Sequence, residues 1–319
     1  MILTVTLNPL LEHRFTYKSV KHNSENRNPR EEYKAGGKGI NVSRQLNLLS
    51  LENLAFTFIG GLHGKILKKV LTEENINFTS INTESETRTS AIIVDESKQM
   101  ITSYFGNNPK ISISEVDEFK QKLEKMIQNC EMVVFSGSSP CENTNSIFPF
   151  GIQVANNYDK ISVCDTYGEH LKDCIAASPT ILHNNIDEVE KSLNTPLKTE
   201  NAVIKHLQFL YSKNIKQAFI TDGGNDSYAS NFDFMYKIVN PNIQSIDSTG
   251  SGDSFVAGIA YGWHNNMPFE EVLRLASALG SCNAAKYEVC NITLEEANRI
   301  KAQIEINSLG KKLRLTDAP

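Results

Sequence analysis

The stretch Asp247-Ser248-Thr249-Gly250-Ser251-Gly252-Asp253-Ser254-Phe255 precedes an apolar, Ala-rich run from Val256 to Trp263. It has the composition of a tight turn feeding a helix N-terminus, with Asp253 in the first turn. Such a turn aims unpaired backbone N–H groups, and the positive end of the helix dipole, at whatever anion lies in front of it. A phosphate suits it. Many helices nevertheless begin after a Gly/Ser turn, and an acid in the first turn is ordinary dipole complementation. The dinucleotide pattern G-x-G-x-x-G fails because Phe255 stands where the third glycine belongs, and G-x-x-x-x-G-K-[ST] is absent: Gly60-Gly61-Leu62-His63-Gly64-Lys65-Ile66 has the wrong glycine spacing and no hydroxyl after its lysine.

A second glycine-rich stretch, Gly36-Gly37-Lys38-Gly39-Ile40-Asn41, runs into a helical pattern from Val42 to Leu49. Its glycines let the backbone approach a ligand closely, and Lys38 and Asn41 offer donors to it. A flexible turn with a solvated lysine is the alternative. Glu12 follows Asn8-Pro9-Leu10 at the end of the first apolar run, where ligands of open α/β sheets bind; a solvated surface acid reads equally well. Asn185 and Glu188 lie three apart at a helix start and share a face. By themselves they read first as a capping pair.

These residues need elements to position them. Ile2 to Leu7, Leu54 to Ile59, Met132 to Phe135, Ile161 to Thr166, Thr180 to Leu182 and Gln217 to Thr221 read as strands, several ending in glycine or serine turns. Helical patterns separate many of them, at 42–49, 64–74 and 114–129, and two more follow Asp253 at 269–285 and 294–306. This alternation is the signature of a mostly parallel sheet flanked by helices. Residues 13 to 34 are polar, and Asn23, Asn26, Asn28 and Pro29 break any regular element there. Thr89 to Val94 and Met100 to Phe105, joined by Asp95-Glu96-Ser97-Lys98-Gln99, form a hairpin. With residues 12 to 35 it makes a small separate sheet over the site. The 319 residues show no Pro/Gly/Ser linker, which implies one domain over 1–319 with a lid from roughly 12–35 and 88–105.

Composition narrows the partners. Hydrophobic residues at 40% and charged residues at 22% are ordinary for a soluble globular chain. A formal charge of -5 argues against a general nucleic-acid binder. The six cysteines include no C-x-x-C pair, which disfavours a zinc site. No stretch reaches the roughly 18 apolar residues of a membrane span. Without a recognisable signal peptide, the cytoplasm is the expected compartment.

Taken together, Gly36-Gly37-Lys38-Gly39-Ile40-Asn41 and Thr249-Gly250-Ser251-Gly252-Asp253-Ser254-Phe255 resemble the two signatures of the PfkB (ribokinase-like) carbohydrate kinases. The opening Thr6-Leu7-Asn8-Pro9 and the form of the first signature are similar to the tagatose-6-phosphate kinase and 1-phosphofructokinase branch. The resemblance covers almost the whole chain. It implies a ribokinase-like, Rossmann-type core with a β-sheet lid, and an ATP- and Mg²⁺-dependent kinase converting a ketohexose monophosphate to the bisphosphate. Tagatose 6-phosphate is the first substrate expected, fructose 1-phosphate the second. Another sugar, a nucleoside, or a non-catalytic sugar-phosphate-binding protein of this fold are the alternatives.

Carried over by position, the resemblance makes Asp253 the base and gives Gly250, Ser251 and Gly252 the anion hole. Asn185 and Glu188 match a pair that helps hold Mg²⁺ through water, while Thr221, Gly223 and Thr249 lie on the nucleotide side. Glu12, Gly37, Lys38, Asn41 and Ser138 line the sugar pocket, with Arg27 and Arg88 at positions that contact the existing phosphate. A homodimer through the lid is also implied. The chain departs from the pattern at Glu12, where the family usually has Asp, and at Ser251, where Ala is commoner. His183-Asn184-Asn185 stands in place of Lys-Pro-Asn, and Ser227 in place of a glycine.

Overall fold

Strand β1 (Ile2–Thr6) is buried at every position, as expected of a strand covered on both faces. Its alternation divides the core. Leu3 and Val5 join an apolar cluster on one face, while Ile2 joins a second cluster on the other. The computed structural model describes residues 1–309. After β1 come β2 (Leu10–Tyr17), β3 (Arg30–Gly36), α1 (Lys38–Leu48), β4 (Asn53–Gly60), α2 (Gly61–Glu73), β5 (Phe78–Thr83), β6 (Arg88–Asp95) and β7 (Met100–Phe105). The middle of the chain supplies α3 (Ile113–Gln128), β8 (Met132–Ser136), α4 (Ile147–Asn157), β9 (Ile161–Asp165), α5 (Leu171–Ala176), β10 (Ile181–Asn185), α6 (Ile186–Leu193), α7 (Glu200–Ser212) and β11 (Gln217–Thr221). It closes with β12 (Ser227–Asn231), β13 (Phe234–Val239), α8 (Ser251–His264), α9 (Phe269–Ala284), α10 (Leu294–Lys301) and β14 (Glu305–Ser308).

The main sheet has ten strands in the order β14-β13-β12-β11-β10-β9-β8-β1-β4-β5. From β11 to β5 every pairing is parallel, and from β11 to β14 every pairing is antiparallel. One face is packed by α3, α4, α5 and α7 through residues such as Phe119, Ile152, Leu171 and Leu207. The other is packed by α1, α8, α9 and α10 through Val42, Val256, Leu275 and Ala297. The fold is therefore α/β, a mostly parallel sheet between helical layers. Four strands form a separate small sheet in the order β3-β2-β6-β7. Among the described residues no helix is long and apolar enough to cross a membrane.

Two expectations change. Residues 13 to 34, polar and broken by Asn23, Asn26, Asn28 and Pro29, carry β2 and β3 at their two ends, antiparallel to one another, within the small sheet expected from residues 12 to 35 and the hairpin. Glu12 consequently lies within β2, opposite Lys34 and Ser90, rather than just past β1. The expected helix over 294–306 ends at Lys301, and Glu305–Ser308 instead pairs with β13. Glu305-Ile306-Asn307-Ser308 has a single apolar residue, too few to set a strand period apart from a helical one.

Helix α8 is drawn tightly onto α9, which fixes its N-terminus. A Cβ on Gly258 would stand 2.7 Å from Ala276 Cα, and one on Gly262 would stand 2.5 Å from Val272 Cγ2. Backbone cannot yield there as a side-chain tip can. Overpacking of this kind costs about 1–3 kcal/mol, more than the few tenths a valine regains in helix propensity over glycine. Gly258→Val should accordingly lower the urea midpoint; an unchanged midpoint would show that the two helices separate freely.

Candidate active site

The turn before α8 is built on Gly250, at φ 80°, where an added Cβ would collide with Val289 Cγ1 at 2.2 Å. Only glycine meets both conditions. Asn283 ties the turn down: its Nδ2 donates to Thr249 O at 2.7 Å and Ser251 Oγ at 3.2 Å, and its Oδ1 accepts from Cys290 N at 2.7 Å. The Ser251 amide donates to Ser248 O at 3.1 Å, and the Thr249 amide to Asp247 Oδ1 at 2.9 Å. That commitment removes Ser251 N–H from the expected anion hole. The amides of Gly250, Gly252 and Asp253 have no hydrogen-bond acceptor among the described residues. They make the helix N-terminus an anion site.

Asp253 itself is buried in the first turn of α8. Asn41 Nδ2, from α1, donates to its Oδ2 at 2.7 Å. Arg44, one turn further along α1, holds Asn41 by donating to its Oδ1 at 2.7 Å, and is anchored by Glu74 Oε2 at 2.9 Å. Burial pushes the Asp253 carboxyl up to about 7; the Lys38 charge and the Asn41 bond oppose the rise, and the negative charges of Asp165 and Glu188 add to it.

Lys38 opens α1 and points into the same space. Its Nζ donates to Asp165 Oδ1 at 3.2 Å and Glu188 Oε1 at 2.7 Å, and lies 5.2 Å from the centre of the Tyr167 ring. Burial alone would favour its neutral form, but Asp165, Glu188 and Asp253 outweigh that and hold it charged. Asp165, at the end of β9, also accepts from Ser136 Oγ at 2.6 Å and His183 Nδ1 at 2.9 Å. Burial works against its charge, yet Lys38 and His183 hold it well below the usual carboxylate range. A carboxylate only accepts, so Nδ1 of His183 carries the proton and Nε2 faces Thr221 Oγ1 at 3.3 Å. The His183 ring also stacks on Phe255 of α8, 5.3 Å between centres.

Asn185 and Glu188 form a capping box on α6. Asn185 Oδ1 accepts from Glu188 N at 2.8 Å, and Glu188 Oε2 accepts from Asn185 N at 3.1 Å. The other Glu188 oxygen meets Lys38, so the pair borders a cleft of about 490 Å³ that Tyr167 and Asp187 also line. Thr221 ends β11, and Gly223 follows in an open turn where an added Cβ would meet nothing within 4 Å.

Opposite this cleft the small sheet contributes a second polar group. Arg88, at the start of β6, donates to Asn108 Oδ1 at 3.2 Å and Asn8 O at 3.3 Å, while Asn8 Nδ2 donates to Asn108 Oδ1 at 3.0 Å and Ser138 Oγ at 3.2 Å. Several atoms here are buried and unpartnered: Asn8 Oδ1, Arg88 Nε, Ser90 Oγ and Thr6 Oγ1. Buried polar atoms without partners invite a ligand or ordered water. Glu12 faces Gly36 and is held by Arg14 Nε at 3.1 Å. Gly37 caps α1, its carbonyl accepting from Asn41 N at 2.9 Å.

The structure thus gathers Lys38, Asn41, Glu188 and Asp253 directly, with Thr221 and Gly252 joined through His183. It joins Arg88 to Ser138 through Asn8 and Asn108. Arg27 is not brought to them: it stands exposed in the β2–β3 loop, ion-paired with Glu25. Sequence reading missed Asn8, Arg44, Glu74, Asn108 and Asp165. The position of Asp165 at the carboxyl end of a buried strand was its one signal; Arg44 and Glu74 belong to no motif.

Comparison with known proteins gives a family and a fold. A tagatose-6-phosphate kinase of Staphylococcus epidermidis is 30% identical over 312 residues, spanning 96% of this chain and 99% of that protein. Phosphofructokinase-2 of Escherichia coli, in a crystal structure with fructose-6-phosphate, superposes with a TM-score of 0.83 at 23% identity, covering 95% of this chain and 98% of that one. A Thermotoga maritima protein described as a possible 1-phosphofructokinase reaches 0.88 at 23% identity, covering 97% and 99%. At that identity the two structures speak to the fold alone. The model of the pfkB family carbohydrate kinases matches residues 12–297, from the strand that carries Glu12 past the helix that carries Asp253. Over so much of its length, the chain belongs to the pfkB family of carbohydrate kinases.

Proposed function

We propose that the chain transfers the γ-phosphoryl group of ATP to a hydroxyl of a ketohexose monophosphate, with tagatose 6-phosphate the first substrate to test and fructose 1-phosphate the second. The observation that carries this is the start of α8, where the buried Asp253 carboxylate and the unpartnered amides of Gly250, Gly252 and Asp253 stand together. Phosphoryl transfer asks for positioning and charge stabilisation more than covalent help. The 30% identity to a tagatose-6-phosphate kinase supports the substrate class.

In this reading Asp253 accepts a hydrogen bond from the attacking hydroxyl and takes its proton late. The Gly250, Gly252 and Asp253 amides meet the charge that develops on the transferred group. Removing one such donor typically costs about 3–4 kcal/mol. Asn41 keeps the Asp253 oxygen turned toward the sugar, and Thr221 and Gly223 border the nucleotide. Asn185 and Glu188 suit a Mg²⁺ that arrives with the phosphates, because this ion takes one or two carboxylates and keeps water and phosphate oxygens for the rest. The metal would neutralise phosphate charge. Among the described residues no group of three or more His, Cys, Asp or Glu stands ready to hold a metal alone.

Lys38 is neutralised by Asp165 and Glu188, whereas Arg88 has no carboxylate partner among the described residues and is the cation proposed to meet a substrate phosphate. This favours a phosphorylated sugar over a nucleoside. All six cysteines are free thiols, which suits the cytoplasm. The outer face of the small sheet supports a homodimer: His13 stacks on Tyr33, and Met100 and Tyr104 are exposed on the same side.

Three outcomes follow from this site. Asp253→Asn should lower kcat by about 10²–10⁴ with both KM values little changed, measured by coupled ADP release over a panel of sugar phosphates. The base works only when ionised, so wild-type kcat/KM should fall as pH drops through about 7; a flat profile from pH 5 to 9 counts against Asp253. Arg88→Ala removes charged hydrogen bonds of about 1.5–3 kcal/mol, so KM for the sugar phosphate should rise about 10- to 100-fold while KM for ATP stays within twofold. Equal rises in both KM values would reassign Arg88. Light scattering should show a dimer that Tyr104→Asp shifts toward monomer, and a variant that stays dimeric would remove the small sheet from the interface.

A further inference from the structure

A second cavity, of about 660 Å³, lies between α5, the end of α6 and α7. No residue lines both it and the cleft beside Lys38. Its volume is that of an ordinary small-molecule pocket. The walls are apolar, made by Ile175, Leu193, Pro196, Ala202 and Phe209. One buried polar atom interrupts them: His206, 6% exposed on α7, lines the cavity, and its Nε2 has no hydrogen-bond partner. Burial holds this imidazole at a pKa of about 4, so at neutral pH it is an uncharged ring able to carry its proton on Nε2 and donate it. A buried polar atom left unsatisfied costs stability, and water or a ligand atom is the usual remedy.

Charge around the cavity has one sign. Lys172, Lys205 and Lys213 all line it and are exposed, and none has a carboxylate partner among the described residues. Phe209 carries Lys213 over its ring at 5.6 Å and stacks on His206 at 6.0 Å, which joins the cationic rim to the apolar wall.

We propose that this cavity is a binding site for a small amphipathic carboxylate, whose hydrocarbon body lies against Ile175, Leu193 and Phe209 and whose carboxylate accepts from His206 Nε2 and the lysines. An apolar neutral molecule would leave the His206 nitrogen unpaired, and a cation would meet three like charges. The occupant therefore needs both an apolar body and a negative head.

Isothermal titration with sodium octanoate tests this directly, with octan-1-ol and octylammonium as chain-matched controls. Binding is read without turnover, so the result stands apart from that of the kinase assays. Octanoate is expected to bind one site per chain, at least tenfold more tightly than octylammonium or octan-1-ol. The Lys205→Glu/Lys213→Glu pair, on exposed positions away from the active site, should weaken octanoate at least tenfold while kcat and both KM values hold. His206→Leu should weaken it too, with the thermal midpoint kept or raised because the orphaned nitrogen is gone. Octanoate binding that is absent, matched by octan-1-ol, or unmoved by the lysine reversals would overturn the assignment.

Discussion

One ammonium group sets the electrostatics of the active site. Lys38 lies within 3.2 Å of Asp165 and 2.7 Å of Glu188, and its charge also reaches Asp253. Two unit charges 4 Å apart interact by about 4 kcal/mol at an effective dielectric of 20, so a single cation cannot serve three acids equally. Asp165 takes the largest share, since His183 and Ser136 also donate to it. Asp253 receives one neutral donor, Asn41, and pays the full desolvation penalty. The result is two buried carboxylates in one network with their pKa values driven in opposite directions. Asp165 stays a fixed charge that anchors Lys38, and the Asp253 carboxyl is raised toward neutral pH.

Positioning of Asp253 comes from two independent directions. Along the chain, α8 cannot lift away because Gly258 and Gly262 bring it against α9, and its first turn is pinned by Asn283. Across the chain, Glu74 at the end of α2 holds Arg44, Arg44 holds Asn41, and Asn41 holds the carboxylate. Each member of that relay is satisfied by the next. A network satisfied throughout rigidifies its site, whereas one missing partner leaves a buried polar group exposed to its full cost. The polar atoms around Asn8 and Arg88 are of the unsatisfied kind. The two halves therefore differ: the Asp253 carboxylate is held from within the chain, while the polar atoms around Asn8 and Arg88 are left to partners from outside it.

What could be read from the sequence was what local chemistry determines. Gly250 is demanded by a positive φ and by the proximity of Val289, and a Gly-Ser-Gly turn before an apolar helix announces both without a structure. The parallel strands were legible because strands covered on both faces are continuous apolar runs. Strands β2 and β3 were not, because Glu12, His13 and Arg14 or Glu31, Glu32 and Lys34 form a one-sided sheet whose polar residues mask the alternation. In the antiparallel extension, β12 and β14 hold only Tyr228, Ala229 and Ile306 as apolar residues, too few for a strand pattern. Asn185 and Glu188 read as a cap and are one; only the fold brings Lys38 to the remaining Glu188 oxygen, 150 positions away in sequence. Arg44, Glu74 and Asp165 work through partners on other elements, so no spacing could have revealed them.

Arg14, paired with Glu12 on the same strand, ties the small sheet to the loop after α9. Arg14 is 8% exposed and, besides Glu12, donates through Nη1 to Tyr287 O at 3.2 Å. Tyr287 belongs to the loop after α9 that also carries Val289, against Gly250, and Cys290, against Asn283 and the Gly250 carbonyl. A short path therefore runs from the strand bearing Glu12 to the turn bearing the free amides. Breaking one partner of a buried charge pair is costly because the other charge is left uncompensated. The pairing with Arg14 engages Glu12 Oε2 and leaves Oε1 as the oxygen open to another donor. The longer reach of Glu12, where the family usually has Asp, is thus partly used in meeting Arg14. The geometry of that ion pair, rather than side-chain length alone, determines where the Glu12 carboxylate lies.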